Sequence, residues 1–165
     1  MILFNLKKLE NLLIEEKVSD KLVFNYLLAY LIITNIAAFF TSDNPAWLEG
    51  TQFTVSLIAL IWGMRKTFEI NREGDNRDYF KRLIPISFVA GIRVIVFVFI
   101  ILFIYNLVIE ILQATDVTSG VRDFHENLLI LGGFLVSTIY YYYLLLSSFK
   151  RVNSADANEN RLEAA

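Results

Sequence analysis

One full charge interrupts the most apolar run of this sequence: Arg93, inside residues 83–109. A guanidinium keeps its proton at any physiological pH. At such a position it must find carbonyls, amides, hydroxyls, water or a bound anion. No Asp or Glu stands in the middle of any apolar run, and Glu49 and Glu110 lie near the ends of theirs. Arg93 comes eleven residues after Arg82, about 16 Å along a helix at 1.5 Å per residue. Asn35 comes fourteen after Lys21, Gln52 and Ser56 thirteen and nine before Arg65, and Ser137 thirteen before Lys150. These depths predict one polar cluster around Arg93, built from Asn35, Gln52, Ser56 and Ser137. A charge held at that depth in a bilayer costs from about 2.5 to well over 10 kcal/mol. Arg93 is therefore either a structural tie to neutral acceptors or a positive centre for a small anion.

The other reactive residues are sparse. His125 and Glu126, with Asp116 and Asp123, share one polar stretch. One histidine among scattered acids is a poor metal site, because metal centres need several spaced ligands. Cysteine is absent, which removes thiol chemistry and zinc–thiolate sites. No histidine lies in an apolar run, which excludes haem held between such runs, and no cofactor is expected. There is no phosphate-binding glycine loop, no Gly-x-Ser-x-Gly elbow and no His-Glu-x-x-His helix. Catalysis is therefore not expected, and Glu49, His125 and Glu126 are what an enzyme would have to use. Arg65, Lys66, Lys81 and Arg82 border the apolar runs and are candidates for anionic lipid headgroups. Four consecutive tyrosines at 140–143 suit an aromatic belt that also packs between helices.

The elements that hold these residues follow from composition and length. The chain has 165 residues, 56% hydrophobic and 19% charged. Soluble domains are about half apolar and a quarter charged, and here the charges cluster between long apolar stretches. The expected fold is an all-α integral membrane protein with four transmembrane helices, at about 22–40, 47–64, 83–109 and 128–149. Each is long enough to cross a hydrocarbon core of roughly 30 Å. Residues 1–21 form an amphipathic helix with Ile2, Leu6, Leu9 and Leu13 on one face. It is read as interfacial, either flat on the membrane or packed on the bundle. Ser19 or Asp20 can cap the helix that follows. Residues 65–82 read as a charged loop turning at Gly74-Asp75-Asn76, Pro85 as a first-turn proline, and 150–165 as a disordered tail.

Threading follows from lysine and arginine. The N-terminal segment carries four, the 65–82 stretch six, and Lys150-Arg151 close the last run; the 41–46 turn has none and the 110–127 stretch only Arg122. Both termini are expected in the cytoplasm, as in a bacterial inner-membrane protein. A net charge of −2 without a basic stripe excludes a nucleic-acid partner. Four such helices enclose little space alone. The functional expectation is an oligomeric channel or transport protein, selective for small anions through Arg93. The alternative is a non-catalytic accessory or scaffold subunit that binds a partner or anionic lipid.

Overall fold

The computed structural model describes residues 2–37, 44–74, 76–113 and 122–163; side chains are described for 2–34, 44–74, 76–108, 110 and 127–154. The chain is all-helical: α1 (Leu6–Ile14), α2 (Asp20–Ala37), α3 (Ala46–Glu73), α4 (Tyr79–Gln113) and α5 (Arg122–Glu163). No strand occurs among the described residues. Two helical segments are long and apolar enough to cross a membrane, Tyr79–Val108 and Asn127–Ser154.

Asn5 caps α1, its Oδ1 accepting from the Lys8 amide at 3.0 Å. Ser19 Oγ accepts from the Leu22 amide at 3.3 Å and opens α2, as the sequence suggests. Leu6, Leu9 and Leu13 are buried, and α1 packs them onto α4 and α5. Three contacts give its direction: Phe4 meets Arg93, Glu10 meets Arg151, and Glu16 meets Arg77. The helix therefore runs along the side of the bundle, antiparallel to α4, with its apolar stripe spent on protein. Asp20 meets Lys81, and Tyr26 meets Phe88 with ring centroids 5.4 Å apart, so α2 and α4 run the same way.

Three helix boundaries differ from the sequence reading. The 65–82 stretch is two helix ends and a short turn, because α3 continues to Glu73 and α4 begins at Tyr79. The turn uses left-handed backbone at Asn76 and Asp78 (φ 54° and 39°), which Asn and Asp tolerate better than most residues. Pro85 consequently lies inside α4 rather than in its first turn, and it removes the amide that would bond the Lys81 carbonyl. Finally, α5 runs through the expected tail to Glu163. Val152 and Asn153 are buried against the bundle, and this docking carries the helix past Arg151.

A polar network ties the lower ends of α3, α4 and α5. Arg82 is only 6% exposed. Its Nη1 donates to Asn153 Oδ1 at 2.6 Å and to Asn71 Oδ1 at 3.3 Å. Asn153 Nδ2 donates to the Ile70 carbonyl at 2.6 Å. One turn up α3, the hydroxyls of Thr67 and Tyr79 lie 2.9 Å apart. Truncating one member strands buried partners. Asn153→Ala is expected to destabilise the fold by about 1–3 kcal/mol, read as a lower midpoint of thermal unfolding in detergent, while Lys150→Ala on the exposed face of the same turn leaves it unchanged.

Higher up, α3 and α5 cross closely at Gly63. A Cβ there would come within 1.9 Å of the Tyr142 ring. Trp62 packs edge-on to the same ring, centroids 6.0 Å apart. Gly91, Gly132 and Gly133 have open space where a Cβ would stand. Close helix approach therefore occurs on α3 at Gly63, and among these glycines on α4 and α5 no close approach occurs.

Candidate functional site

Burial along α4 changes at Arg93. Leu83, Ile86, Phe88, Val89 and Ala90 are buried by the surrounding helices. Beyond Arg93 the helix is apolar and largely bare: Phe99 is 68% exposed and Phe103 71%. α5 follows the same pattern in reverse, with Leu128, Leu129 and Ile139 exposed and Leu144, Leu145, Phe149 and Val152 buried. The packed core occupies the half of the molecule that holds α1 and the Leu144–Asn153 stretch of α5.

Arg93 sits at the boundary, half-buried. Its Nε donates to the Phe4 carbonyl at 2.9 Å. That carbonyl lies just before the first turn of α1, and Tyr26 anchors the same strand of chain. The Tyr26 hydroxyl donates to the Ile2 carbonyl at 2.9 Å and accepts from the Ile2 amide at 2.7 Å. Beside Arg93 opens a cleft of ≈ 530 Å³ between the start of α1, α4 and α5. Its lining includes Asn5, Lys7, Arg93, Tyr143, Ser147 and Arg151, three cations and no acid. Arg151 reaches down from the cleft to Glu10, a bidentate pair at 2.6 and 2.8 Å. The Glu10 side chain is 4% exposed and that of Arg151 50%. A second cavity of ≈ 490 Å³ between α3 and α5 is almost wholly apolar, lined by Ile58, Trp62, Ile139 and Tyr142 among others.

Of the residues grouped from the sequence, Gln52, Ser56 and Ser137 do not line the cleft beside Arg93. Ser137 Oγ donates to the Gly133 carbonyl of its own helix at 2.7 Å. Ser56 is exposed and Gln52 half-buried, both on α3, and neither lines the cleft. The Asn35 side chain lies outside the described residues. The acceptor of Arg93 comes instead from the N-terminal segment, of the two expected placements the one packed on the bundle.

The four basic residues at the helix borders also separate. Arg65 is exposed; Lys66 is exposed and bonds Glu69 at 2.7 Å. That bond raises the Lys66 pKa and lowers that of Glu69. Lys81 pairs with Asp20 at 3.3 Å. Arg82 is buried in its amide network, which leaves it no lipid-facing surface. The His125, Glu126, Asp116 and Asp123 set lies outside the described side chains, and no group of three or more potential metal ligands occurs among those described. Of the four tyrosines, Tyr140 packs tilted against Phe97 with centroids 5.0 Å apart, Tyr142 packs on Gly63, and Tyr143 is 66% exposed at the cleft.

Lys7, Arg151 and Ser147 were missed because contacts across some 140 residues of separation leave no local pattern. One signal was present. Glu10 falls on the Leu6–Leu9–Leu13 face at helical spacing, and an acid on an apolar stripe requires a cation opposite it. No family model, curated protein or solved structure matches the chain.

Proposed function

We propose that this chain is a multi-pass protein of a bacterial inner membrane, with both termini cytoplasmic, and that it acts as a non-catalytic accessory or scaffold subunit. The observation that carries the reading is the burial boundary at Arg93. Below it, protein covers the apolar residues of α4; above it, α5 covers only part of one face, at Phe97 among others, and most large apolar side chains stay exposed, a surface whose extent calls for lipid or another protein. The stretch 94–113 of α4 is about 30 Å long at 1.5 Å per residue, the thickness of a hydrocarbon core. On this register Arg93, Trp62 and the tyrosines lie at the cytoplasmic interface, where aromatic belts and snorkelling cations belong. The packed lower half is a helical head in the cytoplasm, which accounts for its buried polar network. Lysine and arginine counts agree with that sidedness.

The absence of native cysteine makes single-cysteine labelling a direct test. Lys8→Cys and Asn76→Cys, both at exposed positions, are expected to react with a membrane-impermeant maleimide from the cytoplasmic side alone. Glu49→Cys is expected to react from the opposite side, and Phe99→Cys from neither. Phe99→Cys reacting as fast as Lys8→Cys overturns the register. Anion flux in liposomes supplies the second arm. The accessory reading expects none, whereas flux that falls on Arg93→Ala favours the oligomeric anion channel.

A further inference from the structure

We propose that the cleft beside Arg93 is a binding site for the phosphodiester headgroup of an anionic phospholipid from the cytoplasmic leaflet. This rests on the membrane register argued above. The charge is matched to the ligand: Lys7, Arg93 and Arg151 converge on one opening of ≈ 530 Å³ with no acid in its lining. Glu10 holds Arg151 from beneath the cleft, so the guanidinium is fixed in place before any ligand arrives. The Phe4 carbonyl does the same for Arg93 through Nε, and a guanidinium bonded there still carries two terminal nitrogens that can donate to a phosphate. Leu6 and Lys7 line the cleft from the first turn of α1, where amides lack intrahelical acceptors and the helix end is positive.

The surroundings distinguish a lipid from a free phosphate. Arg93, Val96 and Ile100 share one face of α4 at helical spacing, and Tyr143 and Val136 share one face of α5. Val96, Ile100 and Val136 are exposed and apolar. Both walls of the cleft therefore continue, on the hydrocarbon side of the charges, as apolar stripes along which acyl chains can lie. A soluble phosphate has no use for them.

The test uses the full chain in nanodiscs of phosphatidylcholine or of an equimolar phosphatidylcholine–phosphatidylglycerol mixture, followed by native mass spectrometry of retained lipid. The wild type is expected to keep one phosphatidylglycerol in preference to phosphatidylcholine. Arg93→Gln and Lys7→Gln are each expected to weaken retention about fivefold, the share of one basic residue near an anionic surface. Arg93→Lys is expected to retain more lipid than Arg93→Gln. Lys7 is exposed on α1, so Lys7→Gln reports on binding even if Arg93→Gln disturbs the fold. Equal retention by wild type and Lys7→Gln, equal retention of the two lipids, or displacement by millimolar inorganic phosphate each overturn the proposal. The cysteine-labelling pattern is independent of all three outcomes, so loss of the headgroup site and loss of the membrane register can be told apart.

Discussion

Arg151→Ala is expected to undock α1. Glu10 is almost completely buried on the α1 face that meets α5, and both its oxygens accept from Arg151. Removing the guanidinium leaves a carboxylate with its water gone and its partner gone. For a fully buried pair that costs about 3–5 kcal/mol. Arg151 is half exposed, so screening places the expected loss nearer about 2–3 kcal/mol. That is enough to release a nine-residue helix, since helices of this length are unstable alone in water. Hydrogen exchange reads it out: amides of Leu9 to Leu13 lose protection while those of Ile86 to Ala90 on α4 lose much less. Glu10→Gln combined with Arg151→Ala is expected to recover part of the loss, because the uncompensated charge is then absent. Unchanged protection of α1 in Arg151→Ala contradicts the account of how the helix is held.

Gly63→Leu is expected to have a comparable effect by the opposite physics. The Tyr142 ring occupies the space a side chain would need, within 1.9 Å of where a Cβ would stand. The ring is pinned between Trp62 and Tyr141, with centroid distances of 6.0 and 5.1 Å. It cannot move aside without opening the α3–α5 crossing. Overpacking of this kind costs about 1–3 kcal/mol, and more where backbone must shift. Gly63→Ala combined with Tyr142→Ala tests the cause: the double variant is expected to be more stable than the sum of the single losses predicts, a coupling of about 1 kcal/mol or more. Strict additivity of the two losses places the strain elsewhere.

Helix content, the Ser19 cap and the apolar face of α1 were legible because each depends on local spacing. Ser19 and the Leu6–Leu9–Leu13 stripe act within a turn or two of themselves. Helix ends were less so. The expected loop at 65–82 and tail after 150 are rich in charge, and charge marks solvent as readily as it marks a loop. Arg82, Asn71 and Asn153 instead bury their polar groups against one another, and that saturation lets the helices extend.

Arg93 divides the two kinds of information most clearly. Composition alone identified it as a charge that needed an acceptor, since its proton cannot be lost and its neighbours are apolar. Which acceptor it takes could be decided only in three dimensions. Depth counted along one helix assumes that lipid begins where charges end, but α1 and α2 fold back and cover the first turns of α4 with protein. Sequence registers how apolar a surface is. Only the packing determines whether protein or solvent lies against it.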